Sequence, residues 1–334
     1  MTRAIWTPLI AGVGMFAGTA AADAQTSEGG PETPQLDTLV VSGSPVARAL
    51  RESPGDISVL SGEEKRRRQG ASLGGSLDHL PGVENIGTGS QVGKPVIRGF
   101  SGDRVRVLTD GIGLDHQQFG VRHGPNIEPF LADQIEVVRG ASSILYGSGA
   151  LGGAVNVRPP KPPAAPDGET RARGQSMLEY QSGYDQITGA AKAEVAYGRF
   201  GLAAGFVGRD SGGLETPSRE TALESGDTND PLVTGDVPFT DFRQFNGDLN
   251  LGYMTDLGQV VVRYEAYRDQ HNFVVPDPPP PNGNPLQPGG IGQTLENDTA
   301  QLKADLDVAP WLTVKPSVTF SSNFRLSNPG PPEP

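Results

Sequence analysis

Phe242-Arg243-Gln244-Phe245-Asn246-Gly247-Asp248-Leu249-Asn250-Leu251-Gly252-Tyr253 has a period of two: Phe245, Leu249, Leu251 and Tyr253 fall on one face, and Gln244, Asn246, Asp248 and Asn250 on the other. The same period sets Val260, Val262, Tyr264 and Ala266 against Arg263, Glu265 and Asp269. It also sets Ala300, Leu302, Ala304, Leu306 and Val308 against Gln301, Lys303, Asp305 and Asp307. The polar face is too charged to be the core of a sandwich. Strands near ten residues long, apolar outside and hydrated inside, are the signature of an outer-membrane β-barrel, because lipid forces every backbone group to pair within a closed sheet.

Working outward, about seven such strands are expected, at roughly 173–182, 188–198, 200–209, 242–254, 259–270, 296–308 and 311–324. Their connections give an independent reading, since barrels of this kind alternate short periplasmic turns with long outer loops. The turns near Arg199, Asp256 to Gly258 and Ala309-Pro310 are tight, whereas 210–241 and 271–295 are long and polar. The connection at Gly183 to Ile187 is the one short exception on the outer side.

Upstream of the Pro-rich link Pro159 to Pro166 the pattern changes. From Ser53 to Val157 the chain reads as a compact α+β domain. Ser61 with Glu64 predicts a capping box for a basic helix, and Ser72 to Leu80 predicts a second helix stopped by Pro81-Gly82. Short β-rich runs punctuated by Gly follow at Val96 to Arg98, Arg104 to Leu108, Ile135 to Arg139 and Ala154 to Val157. Gly147 to Gly152 has dinucleotide-type glycine spacing but precedes a strand instead of joining a strand to a helix. Gly93-Lys94 fails as a phosphate loop, with Thr88 in place of the first Gly and Pro95 where a Ser or Thr must hold magnesium.

Across 334 residues, 46 Gly and 30 Pro promise many turns, and 35% apolar residues are enough for a packed core. The net charge of -12 disfavours nucleic acid as a partner, and the absence of Cys removes thiol, disulfide and iron–sulfur chemistry. Arg3, the apolar run Ile5 to Ala20 and Ala22-Asp23-Ala24 read as a signal peptide over residues 1–24, which implies export. Residues 25–52 have the composition of a flexible tail. Within it, Asp37-Thr38-Leu39-Val40-Val41-Ser42 is a β-branched run suited to adding a strand to a partner's open sheet edge.

Pro81-Gly82-Val83, Ile97-Arg98-Gly99-Phe100, Arg106-Val107-Leu108-Thr109-Asp110-Gly111, Ile135-Glu136-Val137-Val138-Arg139-Gly140 and Ser143 to Val157, with Tyr146, Gly147, Gly152 and Gly153 inside it, together resemble the plug domain of a TonB-dependent outer-membrane receptor. The resemblance covers most of 53–158. It implies an α+β plug domain at 53–158, a linker at 159–172, and antiparallel transmembrane β-barrel strands from 173 to 334, an incomplete barrel of about seven strands. It places Asp37 to Ser42 where the family carries its TonB box. The resemblance further implies a protein of the Gram-negative outer membrane, with plug and tail facing the periplasm, outer-membrane lipid around the barrel, and TonB as the energy-transducing partner. An extracellular iron-siderophore, haem or metal complex would be imported, with no catalysis and no resident cofactor. The motif glycines Gly99, Gly111, Gly140, Gly147, Gly152 and Gly153 are read as sites of positive φ or close backbone approach. Arg98, Glu136 and Arg139 are read as partners for lumen charges of the barrel or as ordinary solvated ion pairs.

Between Gly111 and Ile135, the polar loop holding Asp115, His116, Gln117, Gln118, Arg122 and His123 is the candidate ligand contact. His116 and His123 are candidate metal or haem-iron ligands through imidazole nitrogen. The spacing matches no fixed metal signature, so contact with an organic ligand or packing against the barrel stays open beside it. His271 is placed in an outer loop as a further candidate, and His79 on the second helix is read as structural. Seven strands are too few to enclose a plug, so the chain reads as the front part of a receptor, with no room before Asp37 for a signalling domain. The competing reading is a non-transporting exported β-rich binding or adhesion protein, or the product of a decayed receptor gene.

Overall fold

The computed structural model describes residues 40–41, 48–49, 56–87, 89, 91–114, 123–140, 146–147, 149–215, 236–237, 239–275 and 289–329. The signal-peptide reading at 1–24 lies outside them. In the tail, Val40–Val41 pairs antiparallel with Arg48–Ala49.

The α+β unit begins with β1 (Asp56–Ser61), which runs straight into α1 (Gly62–Arg67), followed by α2 (Leu73–Leu77). Next come the hairpin β2 (Val83–Gly87) and β3 (Gly93–Ile97), then β4 (Val105–Thr109), β5 (Gln134–Arg139) and β6 (Gly153–Arg158). In one sheet the order is β1-β5-β6-β4, with Ile112–Gly113 beside β4, and only the β4–β6 pairing is parallel. Leu60, Leu73, Leu77, Ile97, Ile135, Val137 and Val155 form its dry core, each contributing about 1.5–3 kcal/mol by burial.

The local signals account for much of this unit. Ser72 Oγ accepts a hydrogen bond from Gly75 N at 3.2 Å, and Leu73 and Leu77, one turn apart, face the core. Helix α2 stops three residues short of the expected Leu80, and His79 lies just beyond it. The capping box at Ser61 does not form: Ser61 is the N-cap residue of α1 but makes no side-chain cap, being still the last residue of β1 and paired with Gln134. Two glycines of the motif close hairpins. Arg98-Gly99 and Asp110-Gly111 have positive φ at both positions (51° and 79°, 52° and 82°), as a two-residue turn that follows the twist of its strands requires.

Strands β7 (Thr170–Gln181), β8 (Gln186–Tyr197), β9 (Phe200–Ser211), β10 (Phe242–Thr255), β11 (Gly258–Val275) and β12 (Gly289–Ala309) form an antiparallel meander. The seventh position is filled in two parts, β13 (Leu312–Val314) and β14 (Ser317–Pro329), both paired to β12. Lys315-Pro316 separates them, and a proline has no N–H to offer the ladder. All seven expected strands are present. Among the described residues the sheet is not closed, β7 and β14 being its two edges. Twelve-residue strands at about 3.3 Å per residue and a tilt near 45° span about 28 Å, enough for a hydrocarbon core. Strands β11 and β12 run to 18 and 21 residues, which takes them well into the expected long loop 271–295.

Burial across this sheet is inverted relative to a soluble protein. Gln244, Asn246 and Asn250 are 3%, 1% and 1% exposed, whereas Leu178, Phe320 and Phe206 are 80%, 71% and 51% exposed. The polar face is covered by the α+β unit and the apolar face is bare, as a lipid-facing wall must be. At the short-turn ends, the exposed rings of Phe200 and Tyr253 lie 4.8 Å apart, beside Tyr197, at the level where barrels carry aromatic girdles.

Candidate functional site

Of the six residues read as the TonB box, Val40 and Val41 are described; Asp37, Thr38, Leu39 and Ser42 lie outside the described residues, as do Asp115, His116, Gln117, Gln118 and Arg122 of the ligand loop. His123 is described. It lies with Asn126 in a small pocket against the sheet, facing Asp269 and His271 on β11, Gln293 on β12 and Arg325 on β14. His271 is therefore not in an outer loop. Strand β11 extends through Val275, so its inward face, which includes Tyr267 and Asp269, carries His271 to 1% exposure. His271 Nδ1 lies 2.8 Å from Asp269 Oδ2, so Nδ1 donates to that carboxylate. No group of three or more His, Asp or Glu residues placed to hold a metal ion occurs among the described residues.

The second functional surface is the seam between the α+β unit and the sheet. Glu128 and Arg209 of β9, each with a side chain 2% exposed, form a bidentate ion pair, with Arg209 Nη2 donating to Glu128 Oε1 at 3.0 Å. Asn246 Nδ2 donates to Glu128 Oε2 at 3.3 Å, and Arg209 also reaches Gln244 Oε1 at 3.3 Å. Gln244 Nε2 in turn donates to the Tyr267 hydroxyl at 3.2 Å. Beside this network Phe130 and Leu131 pack on Ala190, Val207 and Met177 of the sheet. Asp110, from the motif, makes an ion pair with Lys303 of β12. Neither Glu128 nor Arg209 is marked by a sequence motif. Arg209 stands at an inward position of β9, which was the available signal, whereas Glu128 lies in an irregular stretch with no period to read.

Three motif charges go elsewhere than to the barrel. Arg98 and Arg139 both meet Asp56, at 2.6 Å and 3.0 Å, and Arg139 Nη2 also donates to Ser58 Oγ at 2.8 Å. Glu136, fully buried, lies 3.4 Å from Arg158 and accepts from Gln134 Nε2 at 2.9 Å. Arg139 and Glu136 are on β5 and Arg158 on β6, so strand pairing brings their partners to them inside the α+β unit. Tyr146 packs against Leu108, Ala150 and Ala154, and burial pushes its hydroxyl up to about 12.

Residues 49–154 match the family described as the TonB-dependent Receptor Plug Domain. These residues are a plug domain of the TonB-dependent receptor type. That family is one of receptors and not of enzymes. A hemin receptor of Yersinia enterocolitica is 30% identical over 210 residues, covering 61% of this chain and 28% of that protein. The vitamin B12 transporter BtuB of Vibrio cholerae serotype O1 is 32% identical over 153 residues, covering 45% and 25%. The chain thus spans about a quarter of the length of these curated relatives. The pyoverdine outer membrane receptor FpvA from Pseudomonas aeruginosa, solved with pyoverdine bound, has a TM-score of 0.60 at 16% identity, covering 89% of this chain and 51% of that one. That likeness is one of fold. The matched plug domain is the α+β unit, and the seam just described is where plug meets the strands of the sheet.

Proposed function

We propose that this chain supplies the plug and first barrel strands of an outer-membrane receptor that imports a scarce iron-containing ligand into the periplasm of a Gram-negative bacterium. The inverted sheet wrapped on a plug is the observation that supports it most, because a polar face buried only by a plug has no use except as the wall of a lumen. Asp37 to Ser42 is the handle for TonB: a β-branched run pairs by backbone bonds with a partner's sheet edge. Asp115, His116, Gln117, Gln118, Arg122 and His123 form the plug's contribution to the ligand site, with plug and tail on the periplasmic side.

Among iron-siderophores, haem and other metal complexes, haem is the ligand the histidines favour. His123 on the plug and His271 on β11 line one pocket too small to enclose a porphyrin, so a haem would meet the histidines at its mouth, and imidazole nitrogen is a common protein ligand of haem iron. The hemin receptor among the relatives agrees with this choice, and the B12 transporter is the comparison against which it is tested. The test is growth of three receptor-deficient indicator strains expressing the full-length protein, one requiring haem, one starved of iron and fed a ferric siderophore, and one requiring vitamin B12. Haem-dependent growth that is lost on deleting residues 37–42 is expected. Growth unaffected by the deletion would remove the TonB-box assignment, and growth on B12 or a siderophore alone would remove haem.

A further inference from the structure

At the short-turn ends of β7 and β8, a cavity of about 350 Å³ lies between plug and sheet, at the lower end of the range for small-molecule sites. It is at the opposite end of the strands from His271: Arg173 pairs with Glu194, close to the Gly198-Arg199 turn, whereas His271 pairs with Phe242 beside the long connections.

Six charged side chains face this cavity: Lys65, Arg66 and Asp133 from the plug, and Arg173, Lys192 and Glu194 from the sheet. Arg173 donates to both carboxylate oxygens of Glu194, at 2.7 Å and 2.9 Å, and Arg66 is held by Glu63. Lys65 and Lys192 are placed differently. Lys65 Nζ donates to the carbonyl oxygens of Pro129 and Phe130, at 2.8 Å and 3.4 Å, and Lys192 Nζ stands 5.3 Å from the centre of the Phe130 ring. Neither makes an ion pair within 4 Å among the described residues, so two ammonium groups flank Phe130 with their direct contacts to neutral groups, while Asp133 attracts both and Glu194 attracts Lys192 from farther off. Lys65 is 3% exposed, and the charge on Lys192 opposes its own. A buried and a half-buried like charge sharing one cavity with incomplete compensation are costly, and an oxyanion between them supplies the missing charge and acceptor lone pairs. Asp133 leaves the pair one net positive charge.

We propose that this cavity binds one oxyanion group of a small molecule, a carboxylate or a phosphate, between Lys65 Nζ and Lys192 Nζ. The site does not depend on the uptake reading, and its test reads binding alone. Full-length protein in detergent micelles is titrated calorimetrically at pH 7 and low salt, with citrate in one arm and inorganic phosphate in the other. Saturable binding is expected in at least one arm, weakened about tenfold by Lys65→Gln or Lys192→Gln, abolished by both, and unchanged by Lys161→Gln on the exposed linker. The arm that binds identifies carboxylate or phosphate as the preferred group. Lys192→Gln leaves the hydrogen bonds from Lys65 to the plug intact, so the site stays testable if Lys65→Gln disturbs plug folding. Absence of saturable binding in both arms, or equal binding by wild type and Lys192→Gln, overturns the site.

Discussion

Glu128→Gln removes the charge that Arg209 was buried to meet while keeping the size of the side chain. Both side chains are 2% exposed, and Arg209 makes two bonds to the Glu128 carboxylate. With the carboxylate gone, the guanidinium keeps neutral acceptors in Gln244 and the new amide oxygen but loses its direct counter-charge in a site that water hardly reaches, with only the more distant Glu179 left. Breaking one partner of a buried pair costs about 3–5 kcal/mol, most of it the penalty of the orphaned charge. The same residue also anchors the chain around it, since Phe130 N donates to Glu128 Oε1 at 2.9 Å and Phe130 packs on the barrel wall. The assay is hydrogen exchange of the Phe130 and Leu131 amides in the full-length protein in detergent, which reads the free energy of plug undocking on that side. The expected result is a loss of protection corresponding to about 3–5 kcal/mol in Glu128→Gln, with most of it restored in the double variant Glu128→Gln/Arg209→Met, where no charge is left buried. A loss under about 1 kcal/mol, or a double variant no better protected than the single one, would show that this pair does not seat the plug.

Other expectations follow from the same geometry. Burial lowers Lys65 from 10.5 to about 8. Below pH 8 its charge is present in folded and unfolded chains alike and the burial cost is felt in full. Between about 8 and 10.5 the folded chain has released a proton that the unfolded chain keeps, so plug stability should rise by about 3 kcal/mol across that window. Urea titrations at pH 7.5 and 10.5 measure the rise, which Lys65→Met should flatten. Ser72→Ala should cost the plug about 1 kcal/mol through the lost cap of α2, whereas Ser61→Ala, at a position with no side-chain cap, should be nearly neutral; equal effects in thermal melts would contradict the hydrogen bonding seen. At Gly153, φ is 149° and an added Cβ would run into the carbonyl oxygen of Val138 on the paired strand β5, so Gly153→Ala should cost at least about 1–3 kcal/mol in the same urea titration.

The barrel strands were legible because period two survives in a single strand. Phe245 to Tyr253 and Val260 to Ala266 announce which face meets lipid with no knowledge of the neighbours, and the tight turns near Arg199 and Asp256 follow from length alone. Much of the plug was legible through its composite of motifs, although β1 and β2 went unnoticed: Asp56–Ser61 and Val83–Gly87 mix polar and apolar residues without clean alternation, and pairing with β5 and β3 makes them strands. The end of β11 is illegible in the sequence for a related reason. His271 looks like a loop residue by composition, and only the register with Gln293 on β12 carries the ladder that far.

The amino-acid sequence by itself determined the inverted two-faced sheet, the positions of its short turns, and the positive φ at Gly99 and Gly111, since each depends on residues a few positions apart. Tertiary structure decided which charges meet. Arg98 and Arg139 converge on Asp56, Glu128 finds Arg209 at a separation of 81 residues, and Asp110 finds Lys303 at 193. Such pairs carry no local signal, because an ion pair is specified by the distance between two side chains in space, and that distance exists only once the plug is seated against the wall.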